Sequence, residues 1–153
     1  MFDDIIHAMV SALLGSARDS AERAQRALRL IADASYCNAG VLYLIAPTGP
    51  WLAARVGNVV ASPHVDMKVR RLLTQSSVCG VSTPETPWSA DGSTCFTPML
   101  LRHHTGFDVH VAGVAVMANR LGASLDPPAH LLRALSRSLC AASEAQRAES
   151  QTD

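Results

Sequence analysis

The sequence has no excess of charge of either sign. Its 153 residues include 13 Lys and Arg and 13 Asp and Glu, which gives a formal net charge of zero. Nucleic acids and anionic membrane surfaces attract proteins that carry an excess of Lys and Arg. We therefore expect neither a nucleic acid nor a membrane as a partner.

Long apolar runs are also missing. No stretch reaches the roughly 18 apolar residues that a membrane-spanning helix needs. The first charged residues are Asp3 and Asp4, where a secretory signal peptide would carry Lys or Arg. The cysteines are far apart and form no CxxC pair: Cys37, Cys79, Cys95 and Cys140. These features predict a soluble, cytoplasmic protein with free thiols.

Internal repeats and glycine-rich phosphate loops are absent as well. The segments "GSTC" and "GASL" lack the spacing and the lysine of a phosphate-binding loop. The length corresponds to about one domain, and the apolar fraction of 48% is ordinary for a globular chain with a core of its own.

Two helices are predicted before the first strand. Residues 2–14 carry apolar side chains at steps of three and four, which is typical of an amphipathic helix. A second helix is predicted from Asp19 to about Ser35, because Asp19 is a suitable N-cap and Glu22 is its capping-box partner.

The rest of the chain alternates between strands and helices. Residues 39–46 and 51–57 flank the turn signal "PTGP" and predict a hairpin. A helix is expected from Ser62 to about Gln75, followed by a loop over 76–94 with one short strand near Trp88.

The last strands and the last helix follow this loop. Residues 95–102 predict a strand, and "HHTG" predicts the turn that follows it. The segment 109–119 is apolar on both faces, which favours a central strand, and Gly113 indicates a bulge or the close approach of another group. Asp126-Pro127 begins a final helix that reaches about Arg147.

This order predicts an α+β fold. We expect a central antiparallel sheet of about 5–6 strands, with the N- and C-terminal helices packed on one face. Short hairpin connections favour antiparallel pairing, and the apolar stripes of the helices must cover the sheet.

The chain resembles GAF domains, which are small sensory modules. The resemblance rests on the order of four segments: "AGVLYLIA", "VCGVSTPETP", "FTPMLL" and "VAGVAVMANRLGASLDPPAHLLRAL". It implies a GAF-like domain over residues 18–147, an N-terminal amphipathic helix over 1–17 and a flexible tail over 148–153. It also implies a ligand pocket beside the 109–119 strand and the 76–94 loop, with these candidate residues: Trp88, Cys79, Thr97, Met99 and Asn119.

Three specialised GAF patterns are incomplete. Asn119-Arg120 resembles the Asn-Lys pair of cyclic-nucleotide-binding members, but Leu125 replaces their Phe and the following Asp-Glu pair is missing. No cysteine precedes a histidine, as bilin attachment would require. "SVCG" around Cys79 resembles a segment of free methionine sulfoxide reductases, in which Cys95 would act as the resolving thiol. A second resemblance, to roadblock or longin-like proteins, implies a dimeric, non-catalytic interaction platform.

The histidines do not predict a metal site. His103 and His104 are neighbours, so on a strand they would point to opposite faces. We interpret both as exposed turn residues. His64 and Asp66 would lie on different sides of a helix start. Cys37 and Cys140 are interpreted as buried small apolar residues. We expect no metal and no cofactor.

The terminal helices predict a homodimer. Their stripes are wider than a small sheet needs, and such apolar area is costly to leave in water. The expected interface residues are Ile5, Ile6, Met9, Leu13, Leu135 and Leu139. The sequence thus favours a non-catalytic regulatory module that acts through a small molecule, a partner protein or both. The alternatives are a thiol-dependent reductase that uses Cys79 and a roadblock-like platform.

We predict that an Ile6→Asp variant weakens the dimer, because a carboxylate would replace an apolar contact in the helix pair. Sedimentation or light scattering would measure the change. A wild-type protein that is a monodisperse monomer at tens of micromolar would contradict the prediction.

Overall fold

Two helices and a hairpin form the first half of the fold. The computed structural model describes residues 2–46, 49–57, 63–79, 88–89, 94–120 and 129–151. Helices α1 (Phe2–Gly15) and α2 (Ser20–Ala34) precede strands β1 (Gly40–Ala46) and β2 (Gly49–Val56).

The second half contains two helices and three strands. Their bounds are α3 (Pro63–Cys79), β3 (Trp88–Ser89), β4 (Thr94–Thr105), β5 (Asp108–Arg120) and α4 (Ala129–Gln151). The predicted order of elements is confirmed, although α3 and α4 each run four residues beyond the predicted ends.

The strands form one sheet in the order β2-β1-β5-β4-β3, with every pair antiparallel. The predicted central strand is β5, which pairs with β1 on one side and β4 on the other. The α+β prediction is therefore confirmed. Among the described residues there are five strands, at the low end of the expected 5–6, and β3 is only two residues long.

Helices cover both faces of the sheet. On one face, α1, α2 and α4 pack through residues such as Leu28 and Leu135 against Leu42, Met99 and Met117 of the strands. On the other face, α3 packs against a separate set of strand residues. The N- and C-terminal helices thus share one face, as predicted, and the fully apolar pattern of β5 follows from this double coverage.

Gly113 lies on β5 directly against the backbone of β1. A Cβ added at this position would stand 2.0 Å from the carbonyl oxygen of Tyr43. The register also shifts here, because Leu101 pairs with Gly113 whereas Arg102 pairs with Val111, so Ala112 is the extra residue of a β-bulge. Both expectations for Gly113, close approach and bulge, are confirmed.

The capping of α2 follows the sequence prediction. The Asp19 carboxylate accepts a hydrogen bond from the Glu22 backbone N–H at 2.8 Å. Glu22 accepts one from the Arg18 backbone N–H at 2.9 Å, and this bond is the main reason that the pKa of Glu22 is lowered. Local side-chain chemistry is therefore sufficient to set the start of this helix.

The predicted "HHTG" turn is wrong. The β4 strand continues through His103 and His104, which pair with His110 and Val109 of β5. The reversal is instead the two-residue loop Gly106-Phe107, in which Gly106 has a φ of 63°. A glycine at the first loop position permits a tight hairpin, so the strands continue to Thr105.

We predict that Gly113→Ala lowers the free energy of unfolding by about 3 kcal/mol, because the new methyl group would collide with the Tyr43 carbonyl. Urea unfolding would measure the change. Gly15→Ala is the matched control, since nothing lies within 4 Å of a Cβ there. It should be neutral or stabilise the protein by about 0.5 kcal/mol. Equal effects of the two substitutions would contradict the close approach.

Candidate functional site

The face of the sheet beneath α3 is opposite the terminal helices, and the GAF resemblance implies a ligand pocket on that side. Val65, Val69 and Leu73 of α3 are buried there against the sheet. Their partners on the strands are Val41, Tyr43, Leu100, Val114 and Val116. This part of the face is filled by the side chains of the domain itself.

The same face ends at the short β3 strand. Trp88 pairs with Phe96, and Phe96 in turn pairs with Ala118. Phe96 is half-buried and packs against the α3 cluster. The predicted pocket residue Trp88 is therefore the backbone partner of an aromatic residue, Phe96, that the sequence analysis missed. The sequence could not assign Phe96 to this face, because β4 is apolar on both faces and shows no polar–apolar alternation. The pairing of the strands shows which face Phe96 occupies.

The predicted pocket residues do not lie on one face. Met99 is fully buried beneath α1, α2 and α4, and its Sδ lies 3.9 Å from Ser35 Oγ. Thr97 is in phase with Met99, and Asn119 is in phase with Met117, so both belong to the same face as Met99. The predicted set is thus divided between the two sides of the sheet.

The sequence analysis placed Cys79 in a loop, but it is the last residue of helix α3. It belongs to the element that covers the opposite face from Thr97 and Met99. The side chains of Cys79 and Trp88, and the whole of Leu125, lie outside the described residues.

A second candidate surface is the outer side of α1. Ile5, Met9 and Leu13 are 66%, 53% and 42% exposed, and they recur every four residues along the helix. This spacing places them in one stripe. Val10 and Leu14 lie on the other side of α1 and are buried in the core.

The remaining predicted interface residues point into the domain. Leu135 and Leu139 of α4 are buried beneath the sheet face that α1 and α2 share, so the leucine stripe of α4 is core and not a free surface. Ile6 is half-buried and packs against the same core. The apolar pattern of the sequence alone could not distinguish residues buried in the core from residues exposed on the surface.

Polar contacts fix α1 against its neighbours. Arg26 of α2 donates from Nη1 to the Leu13 carbonyl at 2.8 Å and from Nη2 to Glu22 Oε1 at 2.7 Å. The hydroxyls of Ser11 and Ser138 form a 3.0 Å hydrogen bond between α1 and α4. The α1 stripe is therefore presented by a helix that is attached on its other side.

The chemistry of the described residues is limited. Cys37, Cys95 and Cys140 are half-buried and are not part of a disulfide bond. Burial raises the pKa of Cys37, which keeps its thiol protonated. In the described ranges, no three His, Cys, Asp or Glu residues come together to hold a metal ion. Within the same ranges, no helix is both long enough and apolar enough to cross a membrane.

Tyr43 is a buried residue of the α3 face that carries a titratable hydroxyl. It is 2% exposed, and the Asp66–Arg70 ion pair of α3, at 2.8 Å, acts on it electrostatically. Burial is the main cause that raises the pKa of Tyr43; Asp66 raises it further and Arg70 opposes the shift.

We predict that the pKa of Tyr43 shapes stability at alkaline pH. The raised pKa means that unfolded chains lose the phenol proton before native ones do. Stability from this group is therefore complete below pH ~10 and is lost as the pH rises through the native value. Ultraviolet absorbance titration and urea unfolding would measure both effects. Tyr43→Phe should show a weaker alkaline loss than the wild type; an equally steep loss would contradict the assignment.

Comparisons with known proteins identify the fold. No family model and no curated protein matches the sequence significantly. Among solved structures, the GAF domain of an Acinetobacter phosphoenolpyruvate-protein phosphotransferase matches with a TM-score of 0.52 at 14% identity, over 91% of this chain and 93% of that one. The GAF domain of a protein described as a sensor histidine kinase, from Pseudomonas syringae pv. tomato, matches with a TM-score of 0.51 at 14% identity, over 99% and 93%. The chain therefore has the fold of the GAF domains.

Proposed function

We propose that this protein is a regulatory GAF-like module that acts as a homodimer and has no chemistry of its own. The observation that carries the proposal is the exposed stripe of Ile5, Met9 and Leu13 on α1. Because the opposite side of α1 is buried in the core, the stripe cannot turn inward without unpacking Val10 and Leu14.

Pairing of two α1 helices is the arrangement that suits this stripe. Its four-residue spacing matches the contact surface of packed helices. Burying roughly 200 Å² of apolar area would stabilise the dimer by about 5 kcal/mol before the costs of association are subtracted. A second copy supplies the same stripe, so a twofold axis makes the two surfaces complementary.

A signal could enter this module in two ways. The described α3 face is closed by its own side chains, which favours a partner protein over a small molecule for that region. A small-molecule site would fit best at the end of the face, next to Trp88 and Phe96, where two aromatic residues pair. The matched GAF domains come from a phosphotransferase and a protein described as a sensor kinase, which supports a regulatory role.

A reductase based on Cys79 is less well supported. A reactive cysteine needs its thiolate to be stabilised, commonly by a helix N-terminus or a nearby cation. Cys79 is instead the C-terminal residue of α3, where the helix dipole disfavours negative charge. The roadblock-like alternative shares the dimeric, non-catalytic mode of action, but the matched structures are GAF domains.

We expect Met9→Asp to convert the dimer into a folded monomer, because it places a carboxylate in the middle of the α1 stripe. Met9 is a better position than Ile6 for testing the dimer, because Ile6 also packs against the core and its substitution could destabilise the fold. Met67→Asp is the matched control: Met67 is 52% exposed, as Met9 is at 53%, but it lies on α3.

Native mass spectrometry would report the oligomer and any bound small molecule in one measurement, and circular dichroism would confirm folding. The proposal requires a dimer for the wild type and for Met67→Asp, and a weakening of dimer affinity by at least about tenfold for Met9→Asp. A wild-type monomer, or equal effects of the two substitutions, would contradict it.

A further inference from the structure

The outer part of the β4–β5 hairpin carries a pair of facing histidines. His103 and His110 are direct partners in the ladder, and their ring centroids are 5.0 Å apart with an interplanar angle of 22°. His103 is only 8% exposed, and His110 is half-buried. The expectation that His103 is an exposed turn residue is therefore wrong, whereas His104 is exposed on the other side of the strand.

A polar contact joins the pair to α4. Nδ1 of His103 lies 2.9 Å from Oγ of Ser136, and Ser136 is fully buried. On α4, the neighbours of Ser136 along the buried side are Leu132, Leu135 and Leu139. The hydrogen bond between the His103 imidazole and the Ser136 hydroxyl is thus surrounded by apolar side chains where the hairpin packs against α4.

The strands around the pair offer little negative charge. Asp108 is the only carboxylate in β4 and β5; it is exposed and two residues from His110. Arg102 precedes His103, and His104 follows it. The neighbouring strand β1 has no Asp, Glu, Lys or Arg.

The helices over this face carry charges of both signs, and α1 contributes the exposed Asp4. Arg133 and Arg137 flank Ser136 on α4 and are exposed, as is His130 at the start of that helix. His7 of α1 is half-buried on the helix that packs against α4. The buried residues of α2 are all apolar, and its charged residues lie on its half-buried or exposed sides. Protonation of the histidine pair would therefore place two positive charges side by side in the contact between the hairpin and α4.

We propose that His103 and His110 form a proton-sensitive contact that couples α4 to the β4–β5 hairpin. Histidine side chains in general change charge between about pH 5 and pH 8. While the two rings are neutral they can stack, and His103 bonds to Ser136. Once both rings are protonated, two imidazolium groups at this separation repel each other, and one of them is buried. Acid therefore favours a state in which α4 lifts from the hairpin and water reaches the rings.

The direction of the pH effect follows from which state binds more protons. Because repulsion and burial disfavour the protonated pair in the packed state, the lifted state binds more protons, and the packed state loses its advantage as the pH falls. Carboxylates titrate near pH ~4 and cysteines near pH ~8.5, so a comparison of pH 7.5 with pH 5.5 isolates the histidines.

Hydrogen exchange followed by mass spectrometry tests this coupling. After correction for the pH dependence of intrinsic exchange, protection of amides in residues 130–142 should fall about tenfold between pH 7.5 and pH 5.5, equivalent to one pKa unit of linkage. Protection in α2 should stay the same, which also shows that the domain remains folded.

His110→Gln removes one of the two rings at a half-buried position, and its pH-dependent loss should shrink to less than about twofold, since a single charge has no facing partner. His104→Gln is the matched control, because it removes an adjacent but exposed histidine, and it should behave as the wild type does. The proposal is overturned if wild-type α4 protection does not change, if α2 loses protection equally, or if His110→Gln responds as strongly as the wild type.

Discussion

The close contact of β5 with β1 at Gly113 organises this domain. Any side chain at that position would collide with the Tyr43 carbonyl, so the absence of a Cβ is what allows the two strands to pair. Because β5 is central, the contact also determines how α3 on one face, and α1, α2 and α4 on the other, are positioned. Both hydrophobic clusters include residues on either side of this glycine.

The two faces have different consequences for function. The α3 face is closed where it is described and leaves its paired aromatic residues at one end. The other face contains the larger core, and α1 covers it while exposing an apolar stripe. The proposed dimer surface on α1 and the proposed ligand region beside Phe96 therefore lie on opposite faces, so communication between them would pass through the strands.

Local sequence signals predicted much of this fold. The remaining features depend on tertiary contacts that no local pattern shows. The Asp19 cap, the central strand and Gly113 each follow from the residues themselves. The face of the sheet on which Thr97 and Met99 lie could not be predicted, because a strand covered on both sides shows no polar–apolar alternation. Leu135 and Met9 likewise have the same apolar character, yet one is core and the other is exposed. The burial of His103 depends on strand pairing with His110 and on Ser136 of α4, which no local pattern reveals.

The bulge at Ala112 decides which residues meet across the hairpin. If Ala112 instead took a rung of a regular ladder beyond the Leu101–Gly113 pair, His103 would stand opposite Val111 and His110 would turn toward the other face. Because the register passes over Ala112, the rung beneath α4 joins two imidazoles and not an imidazole and a valine. The meeting of the two rings is consequently a property of the irregularity of the ladder and not of the composition of either strand.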